Sequence, residues 1–136
     1  MQRRPVCAIE DLPPGSMKLV QAGKFGVGVY NIDGALYAIA NYCSHEGAPL
    51  CAGYVVGTNE FAPDAPGRLR RVREGRIARC PWHNWEFDIT TGVNLADPQK
   101  RVRTYEVDVT DGQVYLTAWS PDSNGSTLPR WWIARN

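Results

Sequence analysis

Two short stretches carry the side chains that could hold a metal: Cys43-Ser44-His45 and Cys80-Pro81-Trp82-His83. Each offers one thiol and one imidazole, at spacings C-x-H and C-x-x-H, with 34 residues between His45 and Cys80. Soft thiolates and borderline imidazoles in equal number suit either zinc or an iron–sulfur cluster of mixed ligation. Structural zinc sites usually pair C-x2–4-C with H-x3–5-H, so that each knuckle carries like ligands. Here each knuckle is mixed, an unusual arrangement for a zinc finger. Unligated core residues fit less well still, because the only two histidines both lie two or three positions beyond a cysteine.

The fuller pattern is C-S-H-E-G-A-P-L followed by C-P-W-H-N-W-E-F-D. It resembles the Rieske [2Fe–2S] family over roughly residues 6–118, with Gly47, Pro49, Leu50, Gly53, Pro81, Trp82, Trp85, Phe87, Asp88 and Gly92 also at the family's positions. In a Rieske centre two Cys hold one iron and two His the other. The resemblance therefore implies that Cys43 and Cys80 bind the inner iron, and that His45 and His83 bind the outer, electron-accepting iron with one ring nitrogen facing solvent. Such ligation raises the potential above that of an all-Cys ferredoxin and couples electron uptake to protonation of the imidazoles.

The same resemblance bears on where in the Rieske range the centre falls. High-potential members carry a second Cys in each knuckle, joined in a disulfide, and a Ser two residues after the second His that hydrogen-bonds a sulfide. Ala48 and Trp82 stand at the Cys positions and Trp85 at the Ser position. Fewer hydrogen bonds to sulfur stabilise the reduced cluster less, so the chain resembles the low-potential ferredoxin and oxygenase branch. Asn84 replaces the Gly common after the second His. If that site needs a left-handed backbone, Asn is the best-tolerated substitute. Pro49 and Pro81 stiffen the knuckles, and Trp82, Trp85 and Phe87 are read as an aromatic wall around the cluster.

The elements that must position these loops read as strands. Val6 to Ile9, Met17 to Gln21, the alternating Phe25 to Tyr30 and Leu36 to Ala40 are strand signals, the last feeding Cys43 directly. Asp33-Gly34 and Asp111-Gly112 mark hairpins. Tyr54 to Val56, Arg76 to Arg79, Trp85 to Ile89, Arg101 to Val109 and Val114 to Leu116 complete the set. Gly26-x-Gly28 lacks a third Gly and a following helix, so it is not a dinucleotide loop. No sustained 3.6-residue period and no repeat is visible. The expectation is an all-β, Rieske-type fold: an antiparallel β-sandwich base with a small rubredoxin-like cluster-binding subdomain. One domain fills residues 1–136, with that subdomain at about 42–97, an insertion at about 57–75 and an extra C-terminal tail at 119–136.

The insertion gathers Arg68, Arg70, Arg71 and Arg73. It reads either as a basic docking surface for an acidic redox partner or as a solvated surface loop, and the second is the simpler account. Ser120 to Ser126 reads as a linker, and the Trp131-Trp132 pair beyond it either packs on the sheet or meets a partner. Cys7 and Cys51 read as isolated buried thiols rather than a disulfide.

Composition narrows the function classes. At 136 residues, 43% apolar with five Trp and six Tyr, the chain can build one globular core. A net charge of +1 implies no general attraction to nucleic acid or membrane, and no apolar run could span a bilayer. Arg3-Arg4 invites a twin-arginine reading, but Pro5, Glu10, Asp11, Pro13 and Pro14 interrupt what would follow. A cytoplasmic protein is expected. With both His spent on the cluster, none is left for a mononuclear oxygenase iron, so an electron carrier is expected rather than an enzyme. By resemblance its partners are a flavin-dependent NAD(P)H reductase and a terminal oxygenase. The alternative is a small Rieske subunit held permanently in a larger oxidoreductase, oxygenase or nitrite-reductase-like.

Overall fold

The structure, a computed structural model, describes residues 1–43, 47–61, 64, 66–82 and 84–119, with backbone alone at 58–61. The expected His45, His83, linker and Trp131-Trp132 features lie outside the described residues. The described chain forms nine strands: β1 (Gln2–Ala8), β2 (Met17–Val20), β3 (Val27–Ile32), β4 (Ala35–Ala40), β5 (Tyr54–Phe61), β6 (Leu69–Arg79), β7 (Glu86–Asp88), β8 (Thr104–Thr110) and β9 (Gln113–Ala118). The helical segments described are single 3-10 turns, Ile9–Asp11 and Leu50–Ala52. None is long enough to cross a membrane.

Both Asp-Gly hairpin signals hold. Asp33 and Gly34 have φ of 53° and 94°, and Asp111 and Gly112 have 52° and 75°. Two successive positive φ values define the turn whose twist matches right-handed strands, and Gly and Asp are the residues that accept it. These turns fix the β3–β4 and β8–β9 registers, Ile32↔Ala35 and Thr110↔Gln113.

The strands build a six-stranded antiparallel sheet, β1-β9-β8-β4-β3-β2, and a three-stranded one, β5-β6-β7. The large sheet is curled. Its edge strands are β1 and β2, yet the Arg4 guanidinium on β1 donates to the Gln21 carbonyl just past β2 at 2.7 Å. Gly23 N–H likewise donates to the Trp119 carbonyl beyond β9 at 3.2 Å. Curling folds two halves of the sheet onto one core of Val27, Val29, Ala38, Val114, Leu116 and Ala118, capped by Leu12. Burying each valine or leucine among them is worth about 1.5–3 kcal/mol. A second core lies between the sheets, where Ile39 and Tyr30 of the base meet Ala78, Phe87 and Ile89.

The arms of the β5–β6 hairpin run on through residues 57–75, where the sequence suggests an irregular insertion. The rungs Thr58↔Val72 to Phe61↔Leu69 continue the ladder beyond a break opposite Gly57. Four residues of β6, 73–76, stand against that one glycine, and Arg73 and Gly75 take φ of 54° and 74°. Extra residues on one strand make a bulge, which re-aims a hairpin without ending it. Arg101 and Val102 fall outside the strand expected there. Val102 turns inward, with its N–H on the Gly92 carbonyl at 2.8 Å.

Candidate metal centre

The first knuckle leaves the end of β4. Cys43 N–H donates to the Ala48 carbonyl at 2.8 Å, and the Cys43 carbonyl accepts from Gly47 N–H at 2.8 Å. The second knuckle, between β6 and β7, repeats this frame. Cys80 N–H donates to the Trp85 carbonyl at 2.8 Å, and its carbonyl accepts from Asn84 N–H at 3.0 Å. In both loops the residue four positions after the Cys is left-handed, Gly47 at φ 73° and Asn84 at φ 58°. The departure at Asn84 is thus accommodated as expected, since Asn tolerates this region better than other L-residues.

The two frames face each other. Pro49, Ala52, Pro81 and Trp82 line one shared hollow. A methyl group on Gly53 would run into the Arg79 carbonyl and stand 3.0 Å from Pro81 Cδ, so glycine there allows the first loop to touch the second. Behind the loops, Cys43, Cys80, Ala48, Leu50 and Phe87 share one core, with Trp82 and Trp85 packed on it. The Trp85 and Phe87 ring centroids are 6.4 Å apart, and of the three aromatics Trp82 lines the shared hollow. Arg79 and Glu86 brace the β6–β7 hairpin through a 2.9 Å ion pair.

Cys43 and Cys80 are outside any disulfide and buried, 0% and 1% exposed. A pair of buried thiols at the foot of two facing loops suits thiolate ligation of one metal. With an imidazole two and three residues further along the chain, the donor set fits a [2Fe–2S] group of mixed ligation.

Cys51 is not part of that pair. It points back to the base sheet, where a methyl on Gly28 would collide with its Sγ; its thiol donates to the Ile39 carbonyl at 3.9 Å and accepts from the Tyr30 hydroxyl. Burial pushes the Cys51 thiol up to about 12 and Tyr30 well above the usual phenol range. A thiol so held stays protonated and is a poor ligand. Cys7 is likewise free, at the rim of the other core.

One polar residue at the site escaped sequence reasoning. Asn41, two positions before Cys43, is fully buried, and its Oδ1 accepts Cys51 N–H at 2.7 Å. The only signal in the sequence was an amide next to a ligand loop.

A Rieske [2Fe-2S] domain is matched across residues 2–106. The chain belongs to the Rieske [2Fe–2S] domain family. It is 28% identical over 79% of its length, and 88% of the relative's, to the ferredoxin component of the naphthalene 1,2-dioxygenase/salicylate 5-hydroxylase systems of a Ralstonia species. Among solved structures it resembles the ferredoxin of carbazole 1,9a-dioxygenase from Nocardioides aromaticivorans IC177, with a TM-score of 0.64 and 26% identity. That match covers 87% of this chain and 99% of the other. A chain in the complex of reduced oxygenase and oxidized ferredoxin of carbazole 1,9a-dioxygenase aligns with a TM-score of 0.66 and 26% identity, covering 87% and 94% of the two chains. The cofactor of this Rieske protein is a [2Fe–2S] cluster.

Proposed function

We propose that this Rieske protein is a one-electron carrier whose cluster is held by Cys43, His45, Cys80 and His83. It accepts an electron from a flavin-dependent NAD(P)H reductase and passes it to a terminal oxygenase in the cytoplasm. The observation that carries the reading is the repeated loop frame, which sets one buried thiol at the foot of each facing knuckle. The relatives named as ferredoxin components of dioxygenase systems supply the partner class.

When bound, the cluster takes up and gives back a single electron. The chain's own part is to exclude water with Trp82, Trp85 and Phe87 and to hold the two loops rigid with Pro49 and Pro81. A brief, small redox contact suits such a carrier. Ala48 is fully buried, and neither it nor Trp82 can form the disulfide that marks high-potential members, which supports the low-potential ferredoxin branch.

Metal analysis tests the reading. Iron and acid-labile sulfide in equal amounts, with a red-brown colour lost in His45→Ala or His83→Ala, are expected. A colourless zinc protein would overturn it. Reduction by a flavoprotein reductase and reoxidation by an oxygenase in stopped flow would then establish the carrier role.

A further inference from the structure

Asn41 closes the exit of β4, with its backbone N–H on the Gly26 carbonyl at 3.0 Å. Its Oδ1 accepts Cys51 N–H. A backbone N–H can only donate, so that contact decides which side-chain atom is oxygen and leaves Nδ2 as the donor. Nδ2 is shut off from solvent and has no hydrogen-bond partner among the described residues. A buried donor left unmet costs about 1–3 kcal/mol, and buried polar groups in folded proteins are almost always paired.

Four carbonyls of the described first loop already accept backbone N–H groups. The Cys43 and Ala48 carbonyls take Gly47 and Cys43 N–H, and those of Pro49 and Leu50 take Ala52 and Gly53 N–H. A bound cluster brings anionic acceptors in its thiolate and sulfide sulfurs, and Cys43 follows Asn41 by two residues. We propose that the Asn41 side-chain amide donates an N–H···S hydrogen bond to an anionic sulfur of the bound [2Fe–2S] cluster, making Asn41 a residue that sets the reduction potential. The inference rests on the cluster assignment above. Reduction adds negative charge to the sulfurs, so the hydrogen bond strengthens in the reduced state and raises the potential. Asn41 then supplies part of what a serine hydroxyl at position 85 would otherwise give.

The test uses holoprotein made with asparagine labelled with nitrogen-15 at the side-chain amide, reduced and read by pulsed electron paramagnetic resonance. A nitrogen-15 coupling to the cluster spin is expected in the native protein and in Asn84→Gly, and its loss in Asn41→Leu. Redox titration of Asn41→Leu is expected to show a roughly tenfold shift of the equilibrium toward the oxidised form, about 59 mV for one electron. Absence of the coupling in the native protein overturns the proposal, as does an unchanged potential in Asn41→Leu with an intact cluster. If Asn41→Leu does not hold the cluster, the coupling in the native protein decides alone. A native sample with no Rieske signal at all instead overturns the cluster assignment.

Discussion

Asn84 shows how a single backbone angle governs a ligand loop. At φ 58° a residue without a Gly or Asn side chain costs about 1–2 kcal/mol. Asn84→Gly is expected to leave the unfolding midpoint and the visible spectrum unchanged, whereas Asn84→Val should lower the midpoint and the cluster content of the purified protein. Gly53→Ala should be worse, because the new methyl meets the Arg79 carbonyl, which is backbone and cannot swing away; most of the purified variant should lack iron. The two imidazoles set a further expectation. Voltammetry should find the potential flat through neutral pH and falling in the alkaline range, where the oxidised-state imidazoles lose their protons. A potential flat to strongly basic pH would rule out two exposed His ligands. Cys51 and Tyr30 act on stability rather than redox. Their raised folded values mean that the unfolded chain gives up these protons first, so the folded state binds more protons above about pH 9. Stability should therefore fall as pH rises from about 9 toward about 12, seen as a decreasing urea midpoint, with a shallower fall in Cys51→Ala.

Among the strands, those bounded by punctuating residues were readable beforehand. Asp33-Gly34 and Asp111-Gly112 dictate their turns locally, so β3, β4, β8 and β9 fall near their expected places. The β5–β6 arm did not, because Thr58 to Phe61 and Leu69 to Arg73 carry no two-residue alternation of apolar and polar side chains. Leu69 is 60% exposed, and such a ladder is held by its rungs more than by a core. Replacing residues 59–71 by Asn-Gly keeps the Thr58↔Val72 rung and should leave the spectrum and the unfolding midpoint unaltered, as for a tolerated surface segment. Loss of the cluster on this change would show that the arm holds the second knuckle in place. The spacing picked out Cys43 and Cys80, which the fold sets at the foot of two facing loops. The shared hydrogen-bond frame of their loops was not legible, because it is made by backbone atoms that any residue provides.

Taken as a whole, the molecule keeps its charges unevenly despite a total of +1. Residues 54–79 hold six arginines against Glu60, Asp64 and Glu74, while residues 80–119 hold six acidic groups against Lys100, Arg101 and Arg103. Several of these arginines already have intramolecular partners, Arg71 with Glu74, Arg73 with Asp88 and Arg79 with Glu86. Its two sheets, meanwhile, each contribute one knuckle: Cys43 hangs from the six-stranded base and Cys80 from the three-stranded hairpin unit. Any inorganic group that both cysteines grip therefore rivets one half of the protein to the other. Chelating the iron is then expected to leave the halves held by the shared core of Tyr30, Ile39, Ala78, Phe87 and Ile89, seen as faster cleavage of the apoprotein by added protease.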